Sequence, residues 1–166
     1  MSATDSAVQN ARPPRHWEDL EIGEATRSRV LCVKLEEMLA YSRHYDPQWF
    51  HANEQAARDS LFGAVIASGL YTASLWRLLD HEENGDIAWV CGVAWENVRW
   101  RKAVYAGDQL CAHSEILSKR ASASRPGLGI AILAHKLTNQ KGEIVFDFTS
   151  TDLVYRRGGQ AEPVAQ

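Results

Sequence analysis

The feature that most limits what this chain can become is residues 61–76, sixteen positions without a charged side chain, running into a helical pattern at residues 68–79. Leu70, Ala73, Leu75, Trp76, Leu78 and Leu79 lie nearly all the way round that helix. A helix apolar on every side needs cover on every side, with only its ends left wet. Sixteen residues interrupted by Gly63, Ser68, Gly69 and Ser74 fall short of the roughly 20 apolar residues that cross a bilayer. The cover has to be protein.

The following sequence supplies it. Residues 87–100, 109–117, 129–138 and 143–155 are rich in Val, Ile, Trp and Phe. Turn chemistry separates them: Gly107-Asp108, Arg125-Pro126-Gly127, and residues 139–142. Short connections of this kind predict an antiparallel meander. Ile144, Phe146 and Phe148 alternate with Glu143, Val145 and Asp147, so one sheet face is covered and the other is partly polar. Upstream, residues 27–33 read as a short strand. Leu35, Met38, Leu39 and Ser42 then share one face of a short helix over residues 35–43. Pro47 pushes Asp46 out of the helical region and ends it, and Asn53 is placed to cap a second short helix running through Ala57. The order predicts an α+β fold, with about five antiparallel strands wrapped round one central helix. An open sheet leaves edges, and pairing with a second copy is the ordinary remedy, so a homodimer is expected.

Length and composition fit one domain over residues 15–157, with flexible tails at residues 1–14 and 158–166. Eighteen Lys and Arg against 21 Asp and Glu give a net charge of −3, which argues against nucleic acid and anionic membranes as partners. Cys32, Cys91 and Cys111 are an odd count without CxxC spacing, so neither a disulfide scaffold nor a zinc ribbon is expected. A reducing cytoplasm suits them, and the first twenty residues hold no apolar core of the signal-peptide kind. His16, His44, His81, His113 and His135 lack metal-ligand spacing and read as surface or singly bonded residues; no metal is expected.

Two places can carry chemistry. Asp46 and His51 stand five apart in a loop, and a carboxylate and an imidazole sharing one small volume form an acid–base pair able to hold water. The competing reading is an Asp-Pro turn and a histidine bonded to backbone. Ser68 and Gly69 open the interior helix, where free N–H groups and the positive end of the dipole can meet a developing oxyanion. A plain Ser N-cap and a packing glycine explain the same residues. Arg99, Arg101 and Lys102 form a local basic cluster, read either as a phosphate contact or as a solvated strand end.

Taken in order, these residues resemble the MaoC-like dehydratases, which include the R-specific enoyl-CoA hydratases and have the hot-dog fold. The resemblance covers nearly the whole domain. It starts at His16-Trp17-Glu18-Asp19-Leu20-Glu21-Ile22-Gly23 and passes through Tyr45-Asp46-Pro47-Gln48-Trp49-Phe50-His51. It continues through Phe62-Gly63, Ile66-Ala67-Ser68-Gly69, Val98-Arg99-Trp100 and Val104-Tyr105-Ala106-Gly107-Asp108 to the final strand. It implies Asp46 and His51 as catalytic residues and the Gly69 N–H as oxyanion donor, with Ser68, Gln48 and Trp49 beside the substrate. The implied activity is water addition to, or removal from, a 2-enoyl-CoA or 3-hydroxyacyl-CoA thioester. Coenzyme A enters as part of the substrate, with no other cofactor. Tyr45, Gln48 and Trp49 depart from the usual hydratase form, which has Gly, Asn and Pro there; the acyl chain is therefore left open. An acyl-CoA thioesterase and a non-catalytic acyl-CoA-binding subunit are the alternative readings on the same fold.

Overall fold

Ser68 starts the central helix. In the computed structural model, which describes residues 13–159, its hydroxyl accepts from the Leu70 N–H at 3.3 Å and caps α4, Gly69–Asn84. Tyr71, Thr72, Ala73, Leu75, Trp76 and Leu79 are buried. Leu70, Ser74 and Leu78, spaced four apart, form a stripe that remains open on this chain, so the helix is not apolar-covered on every side as its composition predicts. It also runs past residue 79. Asn84 is buried and donates to Asp80 at 2.8 Å and to Ser114 at 2.9 Å, which gives the polar last turn a reason to stay helical.

Six strands cover α4. They are β1 (Ala25–Arg27), β2 (Leu31–Cys32), β3 (Trp89–Trp100), β4 (Gln109–Ala121), β5 (Leu128–Thr138) and β6 (Ile144–Tyr155). The sheet order is β1-β4-β5-β6-β3, with β2 also pairing β4, and all pairs are antiparallel. The predicted meander holds only for β4, β5 and β6. β3 does not pair with its sequence neighbour β4 but lies at the far edge against β6. The chain between β3 and β4 makes that crossing held by backbone bonds, Ala67 N–H to the Val104 carbonyl and Val33 N–H to the Asp108 carbonyl, each 2.8 Å. These bonds give the connection a fixed path, which a simple hairpin turn would not need.

Three further helices precede α4: α1 (Leu35–Tyr45), α2 (Trp49–Ala52) and α3 (Glu54–Ala57). Asn53 caps α3 through its side chain, accepting from Ala56 N–H at 3.0 Å, as its residue type predicts. The single turn of α2 is absent from the periodicity because four residues are too few to show one. Of the two predicted tails, residues 1–12 and 160–166 lie outside the described residues; Pro13, Pro14, Gly158 and Gly159 are placed. Among the described residues, no helix is long and apolar enough to cross a membrane.

His135 is not a surface residue. It is buried beneath α4, its Nε2 is 2.8 Å from Ser150 Oγ, and Ser150 donates to Asp152 at 2.5 Å. Burial, with a contribution from the nearby Arg77 guanidinium, lowers its pKa to about 3, so the imidazole is neutral. The unfolded chain takes up this proton near pH 6.5 and the folded chain only near 3, so folding stability falls as pH drops through that window. Asp80 and Asp152, whose pKa values burial raises, take up protons in the folded state and oppose part of the loss. Urea denaturation between pH 7 and 4 should show this decline, and it should be shallower in His135→Gln; equal slopes would remove His135 as its source.

Candidate active site

The site forms where the end of α1, the single turn of α2 and the start of α4 meet. Asp46 is the C-cap of α1, its N–H bonded to the Ser42 carbonyl at 2.9 Å and its backbone pushed out of the helical region as Pro47 requires. The Gln48 carbonyl accepts from the N–H groups of His51 and Ala52, both at 2.9 Å, which coils residues 49–52 and turns His51 inward. His51 is 8% exposed. Its ring packs against Phe50 at 4.4 Å, and Phe50 packs in turn against Phe62 at 5.8 Å.

Each functional atom is held. His51 Nδ1 lies 2.8 Å from the Ile66 carbonyl, which can only accept, so Nδ1 carries the proton and the neutral ring offers Nε2 as a base. Ser68, fully buried, donates to Asp46 Oδ2 at 2.5 Å while accepting from Leu70 N–H. Asp46 Oδ2 and His51 Nε2 are 3.9 Å apart, too far for a direct hydrogen bond and close enough for both to engage one small molecule. The predicted pair therefore converges, and it does so beside the N-terminus of α4.

Gly69 N–H has no acceptor among the described residues, and the first intrahelical bond runs from Thr72 N–H to the Ser68 carbonyl. Trp100, the last residue of β3, shapes this end of the helix. Its Nε1 donates to the Gly69 carbonyl at 2.9 Å, and its ring lies where a Cβ on residue 69 would come within 3.0 Å. The glycine is explained by that indole. The one available signal is that Trp100 is the aromatic residue closing a strand.

Gln48 and Trp49 are exposed. Gln48 acts through its backbone, and Trp49 packs edge-on to Phe50 at 5.4 Å. In the basic cluster, Arg101 is ion-paired with Asp147 and Lys102 with Glu143. Arg99 pairs in register with Asp147 on the sheet face opposite Trp100, whose ring packs on Phe146.

A single antiparallel sheet around one central helix defines a hot-dog protein, here with a carboxylate and an imidazole beside the helix N-terminus. Residues 19–131 match the family described as the MaoC like domain, and the chain belongs to the MaoC-like dehydratase family. A crystal structure of the MaoC-like dehydratase from Rhodospirillum rubrum superposes with a TM-score of 0.79 at 34% identity, covering 86% of this chain and 97% of that one. An uncharacterized Bacillus subtilis protein, YdeM, is 29% identical over 84% of this chain and 98% of its own length. The β-methylmalyl-CoA dehydratase of Chloroflexus aurantiacus is 28% identical over 95% of this chain, and the match spans 49% of that enzyme's length.

Ser68→Ala removes both the helix cap and the donor to Asp46. It should cost about 1 kcal/mol in chemical denaturation. An unchanged midpoint and slope would show that the hydroxyl contributes nothing to the fold.

Proposed function

We propose that this protein is a hydro-lyase that adds water to, or removes it from, a 2-enoyl thioester carried on coenzyme A, with Asp46 and His51 as the acid–base pair. The observation that carries this reading is the 3.9 Å convergence of Asp46 Oδ2 and His51 Nε2, each oriented by its own partner, next to an unengaged helix N-terminal N–H. In the hydration direction, water sits between the two side chains. The Gly69 N–H polarises the thioester carbonyl, which makes C3 electrophilic. One member of the pair takes the water proton as oxygen bonds to C3, and the pair returns a proton to C2. Ser68 fixes the carboxylate, and Gln48 and Trp49 border the substrate from the exposed side of the loop. Dehydration reverses these steps.

Exposed apolar residues on the β3 edge and on α4 support a second copy of the chain as the working partner. Val93 and Trp95 on the unpaired edge of β3 are 60% and 46% exposed, and the Leu70–Ser74–Leu78 stripe of α4 is open. An exposed apolar edge strand invites pairing, and a homodimer through β3 would cover it.

Asp46→Asn and His51→Ala should each lower crotonyl-CoA hydration by about 10²-fold or more, with circular dichroism unchanged. Near-native turnover in either variant would remove that residue from the mechanism. Release of free thiol in place of hydration would instead favour a thioesterase.

Arg101 and Lys102 follow the indole that lies on Gly69, and we propose that they exchange Asp147 and Glu143 for the coenzyme phosphates when substrate binds. Arg101→Ala should then raise KM for the CoA ester more than for the matching pantetheine thioester. Equal effects on both would exclude the phosphate contact.

A further inference from the structure

The outer face of the sheet, turned away from α4, carries an unusual row. Strand register places Arg27 of β1 opposite His113 of β4, His113 opposite Lys136 of β5, Lys136 opposite Asp147 of β6, and Asp147 opposite Arg99 of β3. One line of cross-strand neighbours thus holds three permanent cations and one histidine against a single carboxylate. That carboxylate is already engaged by Arg101. Among the described residues, Arg27, Lys136 and Arg99 form no ion pair; Arg27 Nε reaches only the Cys111 sulfur at 3.4 Å. Glu115, one row along β4, pairs in register with Ala25 and Ala134 and forms no ion pair with the row.

No two permanent cations are directly opposite: His113 stands between Arg27 and Lys136, and Asp147 between Lys136 and Arg99, so the like charges lie two strands, about 9–10 Å, apart. With a Debye length of about 8 Å at physiological salt, Arg27 and Lys136 are largely screened from each other, but each is close enough to act on His113 between them. The neighbouring groups register the same field. His113 has its pKa lowered by burial and by the charges of Lys136 and Arg27, and its Nε2 lies 3.2 Å from the Thr138 hydroxyl.

The row is also concave. A polar groove of about 470 Å³ is lined by Arg27, His113, Lys136, Thr138, Asn139 and Gln140, and a second, of about 420 Å³, meets it at His113 and Lys136. Volumes of this order suit a small molecule. A flat acidic protein surface would not fill such a groove, and a second copy docked by the same face would set its cations against these. We propose that this groove binds a small organic polyphosphate, with Arg27 and Lys136 as its cationic contacts, His113 between them, and the second amide N–H of Asn139 and of Gln140, each of which already donates one to the protein, supplying hydrogen bonds. The sheet separates the groove from α4 and from the loop that carries Asp46 and His51, so the proposal does not rest on the hydro-lyase assignment; Asp147, held by Arg101, is the one point where the row meets the proposed coenzyme contact.

The test uses the full chain with inorganic pyrophosphate as the probe, followed through the His113 ring resonances by NMR. Pyrophosphate should shift those resonances and raise the His113 pKa, whereas potassium chloride at the same ionic strength should not. Arg27→Gln combined with Lys136→Gln should weaken pyrophosphate binding at least tenfold and leave crotonyl-CoA turnover unchanged. The absence of a His113 response at millimolar pyrophosphate would overturn the proposal, as would binding unaltered in the double variant. So would tighter binding of a polyglutamate peptide than of pyrophosphate, which would mark the groove as a docking surface for an acidic protein.

Discussion

The site depends on one hydroxyl at the start of one helix. Ser68 cannot cap α4 without its oxygen lying at the helix end, and from that position its proton goes to Asp46 at 2.5 Å. The bond joins the C-terminus of α1 to the N-terminus of α4 and so fixes the chain between them, including the turn that carries His51. The Ile66 carbonyl, two residues before Ser68, holds the other side of the imidazole. Both the Asp46 carboxylate and the His51 imidazole are therefore oriented by the three-residue approach to the same helix. For the reaction proposed above, side chains held in this way would need no reorganisation as charge develops.

The glycine after the cap depends on a second element. The Trp100 indole donates to the Gly69 carbonyl and lies so close that a side chain at position 69 would have to push the ring aside by a few tenths of an ångström. Trp100 reaches that position only because β3 runs at the far edge of the sheet beside β6, and the crossing chain returns past Ala67. The topology and the helix end are thus coupled: a β3 placed beside β4 would carry its last tryptophan elsewhere. The same arrangement leaves Val93 and Trp95 on an open edge.

Much of this was legible from residue types. The helix at Ser68, the interruption at Pro47, the Asn53 cap and the four long strands all follow from local chemistry, and each is present. What sequence could not give was non-local. Strand order is decided by which connections can cross the core, so local turn chemistry points to β3 beside β4 where the fold puts it beside β6. His135 looked like any isolated histidine because its surroundings come from α4 and β6. The tautomer of His51 depends on a carbonyl fifteen residues away, which no side-chain pattern records. The basic row on the outer sheet face comes from five strands, one residue each, and is invisible until register is known.

Trp17 lies over Gly129, where any Cβ would come within 2.1 Å of the ring, and beside it Glu18 and Asp19 hold Arg156 and Arg157. The beginning and the end of the folded unit are thereby clasped together on one corner of the sheet. A unit closed in this way can be strung head to tail with another like it through a short join, leaving the interior of each undisturbed. It can also be cut open elsewhere and resealed at that corner. Duplication is thus mechanically easy for this architecture, and the loop at the opposite end of α4 that carries Asp46 and His51 would not feel the splice.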